Sequence, residues 1–439
     1  MSGISIVETL FHGCWKTCTV TTRGNITHLM GLSVQLEAPR AAEPTPAKAP
    51  RKLAERFYKP ELDVLRFFAF FIVFLHHVFP LLSPNQFSGR SRAIGLAIIT
   101  INDVGGFGMC LFFLLSAYLI TELLLREKDR TGTIHIPSFY ARRILRIWPL
   151  YFGFLFVMAL VGLILPPFRL ETGRLLAFAA LAANWYVARY GFGVAAVAPL
   201  WSISLEEQFY LIWPFLSKVG GRKGIAVVSA ILFPVSWLTI YLLARSGASR
   251  DVAIWVNSLV QFQFFGLGAL LALVLRGSSL KLSAPERAGA FASGVACWLV
   301  ADGVFHILRS DLAPQLGRTV AGYVLGAMGC LLVFASVNGS PMLARTKPLV
   351  YLGKISYGLY VYHVLCITLS RACVWQILSH LSVRTERSTG SWEYWLYGLT
   401  SSLLALGLVI LVASLSYRFI EKPFLRLKER FTFVSSRAV

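Results

Sequence analysis

The tightest constraint on this chain is the recurrence of apolar runs, each about as long as a bilayer is thick. From Leu62 onward they lie near residues 62–82, 104–125, 147–168, 200–217, 224–244, 254–275, 288–308, 317–338, 349–378 and 394–418. About 20 helical residues at 1.5 Å each cross the roughly 30 Å hydrocarbon core. Backbone N–H and C=O groups inside hydrocarbon must be satisfied internally, so such runs become helices. The expected fold class is therefore all-α: a polytopic membrane helix bundle of about ten transmembrane helices. Composition agrees. Of the 439 residues 56% are hydrophobic and only 14% charged, where soluble domains carry about 25% charged residues. An ordinary soluble enzyme and a disordered chain are both excluded.

The charge that remains is lopsided, with 42 Lys and Arg against 21 Asp and Glu, a net of +21. Such an excess can mark a nucleic-acid binder. Here the cations are spread over separate loops, and no nucleic-acid partner is expected. Their distribution instead encodes topology. The apolar stretch 175–187 covers about 20 Å as a helix, too short to cross. If it stays on one side, thirty of the 42 cations fall on the side that holds both termini and twelve on the other. Cytoplasmic loops carry the Lys and Arg excess. The expected placement is thus a multi-pass protein of the inner (plasma) membrane with both termini cytoplasmic. Residues 169–199 then form an outer loop with a re-entrant or interfacial piece.

Residues 1–57 differ from the rest: APRAAEPTPAKAP at 38–50 reads as a flexible tail. The expected division is a tail over 1–57, a membrane domain over 58–430 and a short cytoplasmic tail over 431–439. The chain stops soon after the last span, so the membrane unit is expected to be the whole functional protein. The seven cysteines are odd in number and lie mostly within apolar runs, as small hydrophobes do. Cys14 and Cys18 lack a second ligand pair, so no metal site is expected.

Ionisable groups inside spans are costly and tend to be functional. In the first span Arg66 and His77 stand 11 residues apart, three turns, and so share a face about 16 Å apart. A histidine there is a natural general base. Glu206 and Glu207, in LWSISLEEQFYLIW, are expected at a depth similar to His77, where a carboxylate could orient the imidazole. They point about 100° apart, so one of the two is expected to meet it. Arg143 and Arg146 share a face at the cytoplasmic surface, in SFYARRILRIWPLYF, and guanidinium forks suit phosphate. Contact with lipid head groups would serve equally. Tyr357, Tyr360 and His363 recur every three residues in ISYGLYVYH, which suggests a wet interior; packing hydrogen bonds are the plainer alternative. Ser116, in FFLLSAYLIT, has no nucleophile elbow to recruit it.

Five segments in order resemble the acyltransferase-3 family of integral membrane acyltransferases: KPELDVLRFFAFFIVFLHH (59–77), the stretch from GMCLFFLLSAYLI to RRILRIWPLYF (108–152), LWSISLEEQFYLIWPFL (200–216), LGKISYGLYVYH (352–363) and SYRFIEKPFLRLK (416–428). The resemblance covers about residues 58–430. It implies transfer of an acyl group, often acetyl, from cytoplasmic acyl-CoA to a hydroxyl of a sugar, glycolipid or other small acceptor, with no cofactor beyond the donor substrate. Polysaccharide modification at the cell envelope is the expected setting. The family's Arg–ten residues–His element falls on Arg66 and His77, its Arg-x-x-Arg element on Arg143 and Arg146, and its paired Glu on Glu206 and Glu207. One departure is SAY at 116–118, where the family more often has SG and an aromatic.

On this reading His77, Glu206 and Glu207 are catalytic, and Arg66, Arg143, Arg146, Ser116, Tyr357 and His363 bind substrates. The acceptor would be received by the membrane domain itself or by a partner protein on the outer side. Direct transfer and an acyl-enzyme route both stay open. A transporter or flippase of lipid-linked glycans is the competing reading; it predicts matched broken helices in two halves, and none are visible.

Overall fold

The computed structural model describes residues 57–78, 91–245, 251–307, 316–380 and 392–434. The N-terminal tail up to residue 56, Cys14 and Cys18 included, lies outside the described residues. Among those residues every regular element is helical. In chain order they are α1 (Pro60–Val78), α2 (Ser91–Asp103), α3 (Phe107–Thr131), α4 (Ile136–Ile164), α5 (Thr172–Ala179), α6 (Ala183–Tyr190), α7 (Leu200–Arg245), α8 (Asp251–Trp255), α9 (Ser258–Leu275), α10 (Ala284–Gly303), α11 (Leu316–Val337), α12 (Pro341–Arg345), α13 (Lys347–Lys354), α14 (Ser356–His380), α15 (Trp392–Ser416) and α16 (Lys422–Lys428).

Seven helical stretches among the described residues are long and apolar enough to cross a membrane. The longest, containing α7, holds two arms that meet where Gly221 leaves helical geometry (φ 54°, ψ −152°). Helices α1 and α10 are also of spanning length but carry more charge, Glu61, Asp63 and Arg66 in the first and Glu286, Arg287 and Asp302 in the second. The apolar runs lie largely on these helices or arms; the run 62–82 extends past the described residues, and 349–378 is divided between α13 and α14. The short stretch 175–187 is broken into α5 and α6 around Leu181 (φ 57°). Eight residues apiece give about 12 Å, too little to cross.

Local chemistry starts and stops these helices where it should. Pro60 fills the first turn of α1, where its missing N–H costs nothing, and Glu61 and Asp63 suit the positive end of the helix dipole. Ser283 and Glu286 form a reciprocal capping box on α10. Gly132 ends α3 in the left-handed conformation.

Helix α3 is the centre of the bundle: 78% of its apolar window is buried, against 22% for the stretches holding α7 and α15. It packs on α1, α7, α9 and α11. Helix α1 is wrapped by α3, α13 and α14, and the pairs α10–α11 and α14–α15 complete the bundle. Apolar side chains that find no protein partner, such as Phe156, Leu163, Leu211 and Leu403, face outward, as lipid contact requires.

Lipid tails are as apolar as the side chains, so close backbone approach rather than apolar burial holds such helices together. Two contacts on α1 depend on it. A Cβ on Gly108 would overlap the carbonyl oxygen of Ala69, and one on Gly353 would overlap that of Asp63. Gly108→Val should therefore cost about 1–3 kcal/mol of stability through overpacking, read as a lower unfolding temperature in detergent. Gly407→Val, where an added Cβ meets nothing within 4 Å, should leave it unchanged.

Candidate active site

The site has two ends. At the end where α1 begins, a cavity open to solvent is lined by six helices. Helix α1 supplies Asp63 and Arg66, with Lys59 just before it. Helix α3 gives Phe112 and Ser116, and α4 gives Arg143 and Arg146. Ser202, Glu206 and Tyr210 come from α7; Tyr357 and Tyr360 come from α14; Lys428 closes the rim from α16. Five cations face two carboxylates, so the chamber suits an anion. Burial lowers the pKa of Lys59, opposed by the nearby Glu61 and Glu122 carboxylates.

The arginines are aimed by the start of α4. Arg142 is held by Glu127 at 2.6 Å and also donates to the Phe431 carbonyl at 2.7 Å. Arg130 donates to the Phe433 carbonyl at 2.9 Å, and Phe433 stacks on His135. Residues 431–434 are thus folded back onto the α3–α4 corner by guanidiniums that satisfy their carbonyls. With Arg142 spent in this way, its neighbour Arg143 turns inward between Phe139 and Tyr210, 5.7 Å from each ring centroid, and its Nε has no partner. Pro149 removes one amide from the α4 ladder, and Tyr357 OH donates to the Ile147 carbonyl in that turn at 2.8 Å. Arg66 pairs loosely with Asp63, at 3.4 Å.

The two glutamates part company. Glu206 accepts from Tyr210 OH at 2.5 Å and from Ser116 Oγ at 3.2 Å, and the Ser116 and Tyr210 hydroxyls are bonded to each other. Glu207 turns away and accepts from Trp148 Nε1 at 3.1 Å, its other oxygen unpartnered. No hydrogen bond joins either carboxylate to His77, contrary to the expectation from sequence. The reason is the recessed start of α7. Its leading turn sits inside the bundle, where Tyr360 OH reaches the Pro199 carbonyl at 3.1 Å and Ser202 Oγ at 2.9 Å. Glu206 lies in the cavity with Arg66, Arg143 and Arg146.

The far end is built of histidines. His77 Nδ1 lies 2.8 Å from the Val73 carbonyl, one turn back on α1. A carbonyl only accepts, so in the neutral ring Nδ1 carries the proton and Nε2 keeps its lone pair. The backbone thus does the orienting expected of a glutamate. His77 is exposed, while His363 is fully buried. The two rings meet edge to face with centroids 5.0 Å apart. His76 instead reaches the Asn102 carbonyl at 3.0 Å. Arg371 caps α1 by donating to the His77 and Val78 carbonyls at 3.3 and 2.9 Å.

The ends are joined through α14. Tyr360 lines the cavity, and its ring lies 5.3 Å from that of His363, which faces His77. The structure brings Arg66, Arg143, Arg146, Ser116, Glu206 and Tyr357 to one cavity and His77 against His363, and leaves Glu207 outside the cavity lining, on Trp148. Ser202, Tyr210, Arg371 and Lys428 were not singled out from sequence. Tyr210 follows Glu206 by four residues, the spacing of one helix face, which is a readable signal; the other three contacts are long-range.

The acyltransferase domain of the acyltransferase-3 family matches residues 59–414. The chain belongs to that family. The peptidoglycan O-acetyltransferase OatA of Listeria monocytogenes is 26% identical over 398 residues, covering 84% of this chain and 56% of the relative. The O-acetyltransferase OatA of Staphylococcus aureus is 25% identical over 382 residues, covering 83% and 57%. The acyltransferase thus spans somewhat over half the length of these relatives. No solved structure matches it.

The Arg142–Glu127 pair that aims Arg143 is partly buried, 12% and 3% exposed. Arg142→Met should cost about 3–5 kcal/mol by leaving Glu127 an unpaired buried charge. Adding Glu127→Gln should recover most of it, as thermal unfolding in detergent would register.

Proposed function

We propose that the acyltransferase moves an acetyl group from cytoplasmic acetyl-CoA to a hydroxyl of a cell-envelope carbohydrate. The observation that carries this reading is the succession from a cation-lined cavity through the ring of Tyr360 to His363 and His77, whose Nδ1 is tied to its own helix. Arg143, Arg146 and Arg66 would grip the phosphates, with Lys59 and Lys428 at the rim, because forked guanidiniums match phosphate oxygens. Glu206 would offset their mutual repulsion and hold Tyr210 and Ser116 along the pantetheine arm. The thioester would then lie near Tyr360 and Ser202.

An acceptor reaching the exposed face of His77 would give its hydroxyl proton to Nε2 as the oxygen attacks the thioester carbonyl. The acyl carbon–sulfur bond then breaks and CoA leaves. Membrane placement follows the cation bias, with the Arg143 end toward the cytoplasm. Two relatives named for O-acetyl transfer, one of them onto peptidoglycan, support a carbohydrate acceptor. A partner protein or further domain on the outer side would deliver that acceptor.

The test is purified protein in lipid nanodiscs with acetyl-CoA and N-acetylglucosamine oligomers, following thiol release and the acetyl mass on the sugar. His77→Ala should abolish transfer without lowering the unfolding temperature; activity retained in that variant would end the proposal. Arg146→Ala should raise the KM for acetyl-CoA about 10- to 100-fold, the worth of one charged hydrogen bond. An unchanged KM would remove Arg146 from the donor site.

A further inference from the structure

We propose that His363 is a second proton carrier in this transfer, receiving from His77 the proton taken from the acceptor and delivering it to the departing thiolate. The proposal rests on the acyl-thioester reading above.

The geometry sets a problem that one histidine does not solve. His77 is exposed at the acceptor end and does not line the cavity. The leaving sulfur would sit on the cavity side, near Tyr360. A bare thiolate in so apolar a place is costly, so it needs a proton where it forms. His363 lies between the two positions, its ring 5.0 Å from that of His77 and 5.3 Å from that of Tyr360.

Its hydrogen bonding fits the task. Nδ1 lies 2.6 Å from the Tyr360 carbonyl, which fixes the proton there in the neutral ring. Nε2 is buried without a hydrogen-bond partner, on a residue of zero exposure. A bare buried acceptor is unusual and costs free energy. Plain helix packing gives no reason to keep it, since an apolar side chain would fill the same space. Both histidines thus have Nδ1 tied to their own helix, which leaves Nε2 as the basic nitrogen of each neutral ring.

The balance closes without another reactant. The acceptor O–H bond breaks and its proton goes to His77 Nε2 as the new oxygen–carbon bond forms. The carbon–sulfur bond breaks and the electron pair stays on sulfur. The proton passes from His77 Nε2 to His363 Nε2, then to sulfur, leaving both imidazoles neutral and CoA as the thiol.

The test uses the full chain in nanodiscs with acetyl-CoA and N-acetylglucosamine oligomers. His363→Asn keeps an amide N–H over the Tyr360 carbonyl but has no titratable nitrogen. It should lower kcat about 100-fold or more, with the KM for acetyl-CoA and the unfolding temperature unchanged. His363→Ala should be restored by added imidazole and not by pyrazole, which has the same shape but is a far weaker base. A kcat retained in His363→Asn, or His363→Ala restored equally by both azoles or by neither, would overturn the relay while leaving the reading above intact. A wild-type protein that releases no CoA would overturn that reading, and the relay with it.

Discussion

The structure depends on how closely other helices can approach α1. This 19-residue helix carries Glu61, Asp63, Arg66, His76 and His77, a load that lipid would not tolerate. Burying it needs neighbours at near-contact distance on several sides. Gly108 of α3 and Gly353 of α13 supply that by resting on its backbone carbonyls. With α1 enclosed, Arg66 is turned to one cavity and His77 is brought against His363 of α14. A wider bundle would leave these groups to water or lipid, and the path between them would be lost.

Along that path the polar groups are graded rather than scattered. Cations crowd the cavity, where the hydroxyls of Ser116, Tyr210, Ser202 and Tyr360 also lie, and the imidazoles of His363 and His77 stand beyond it. On the proposed reading, a charged donor head would meet the cations where the cavity opens to solvent, and the reacting centre would lie toward the histidines. The orphaned Nε atoms of Arg143 and His363 fall at the two positions where a substrate would supply the missing partner.

Much of this could be read from residues alone. Periodic apolar runs announce the helices because hydrocarbon leaves the backbone no alternative. The length of 175–187 forbids a crossing, and the structure divides it between the short helices α5 and α6. Arg143 and Arg146 share a face by spacing, and both line the cavity. The pairing of glutamate with His77 could not be read. The sequence placed the glutamates at a depth similar to His77, whereas Tyr360 holds the start of α7 at Pro199 and Glu206 lines the cavity with the arginines. The folding back of residues 431–434 was equally hidden, because Arg130 and Arg142 are about 290 to 300 residues away in the chain.

Local rules therefore account for the class of fold, the positions of the helices and the face that each functional side chain shares with its neighbours on the same helix. They do so because hydropathy, helical period and capping act over a few residues. Which helix meets which, and at what depth, belongs to packing. The choice between a carboxylate and a backbone carbonyl beside His77 and the meeting of His77 with His363 both turn on the offsets between helices. Those offsets are set by small residues and by hydrogen bonds between positions far apart in the chain, where no local pattern reports them.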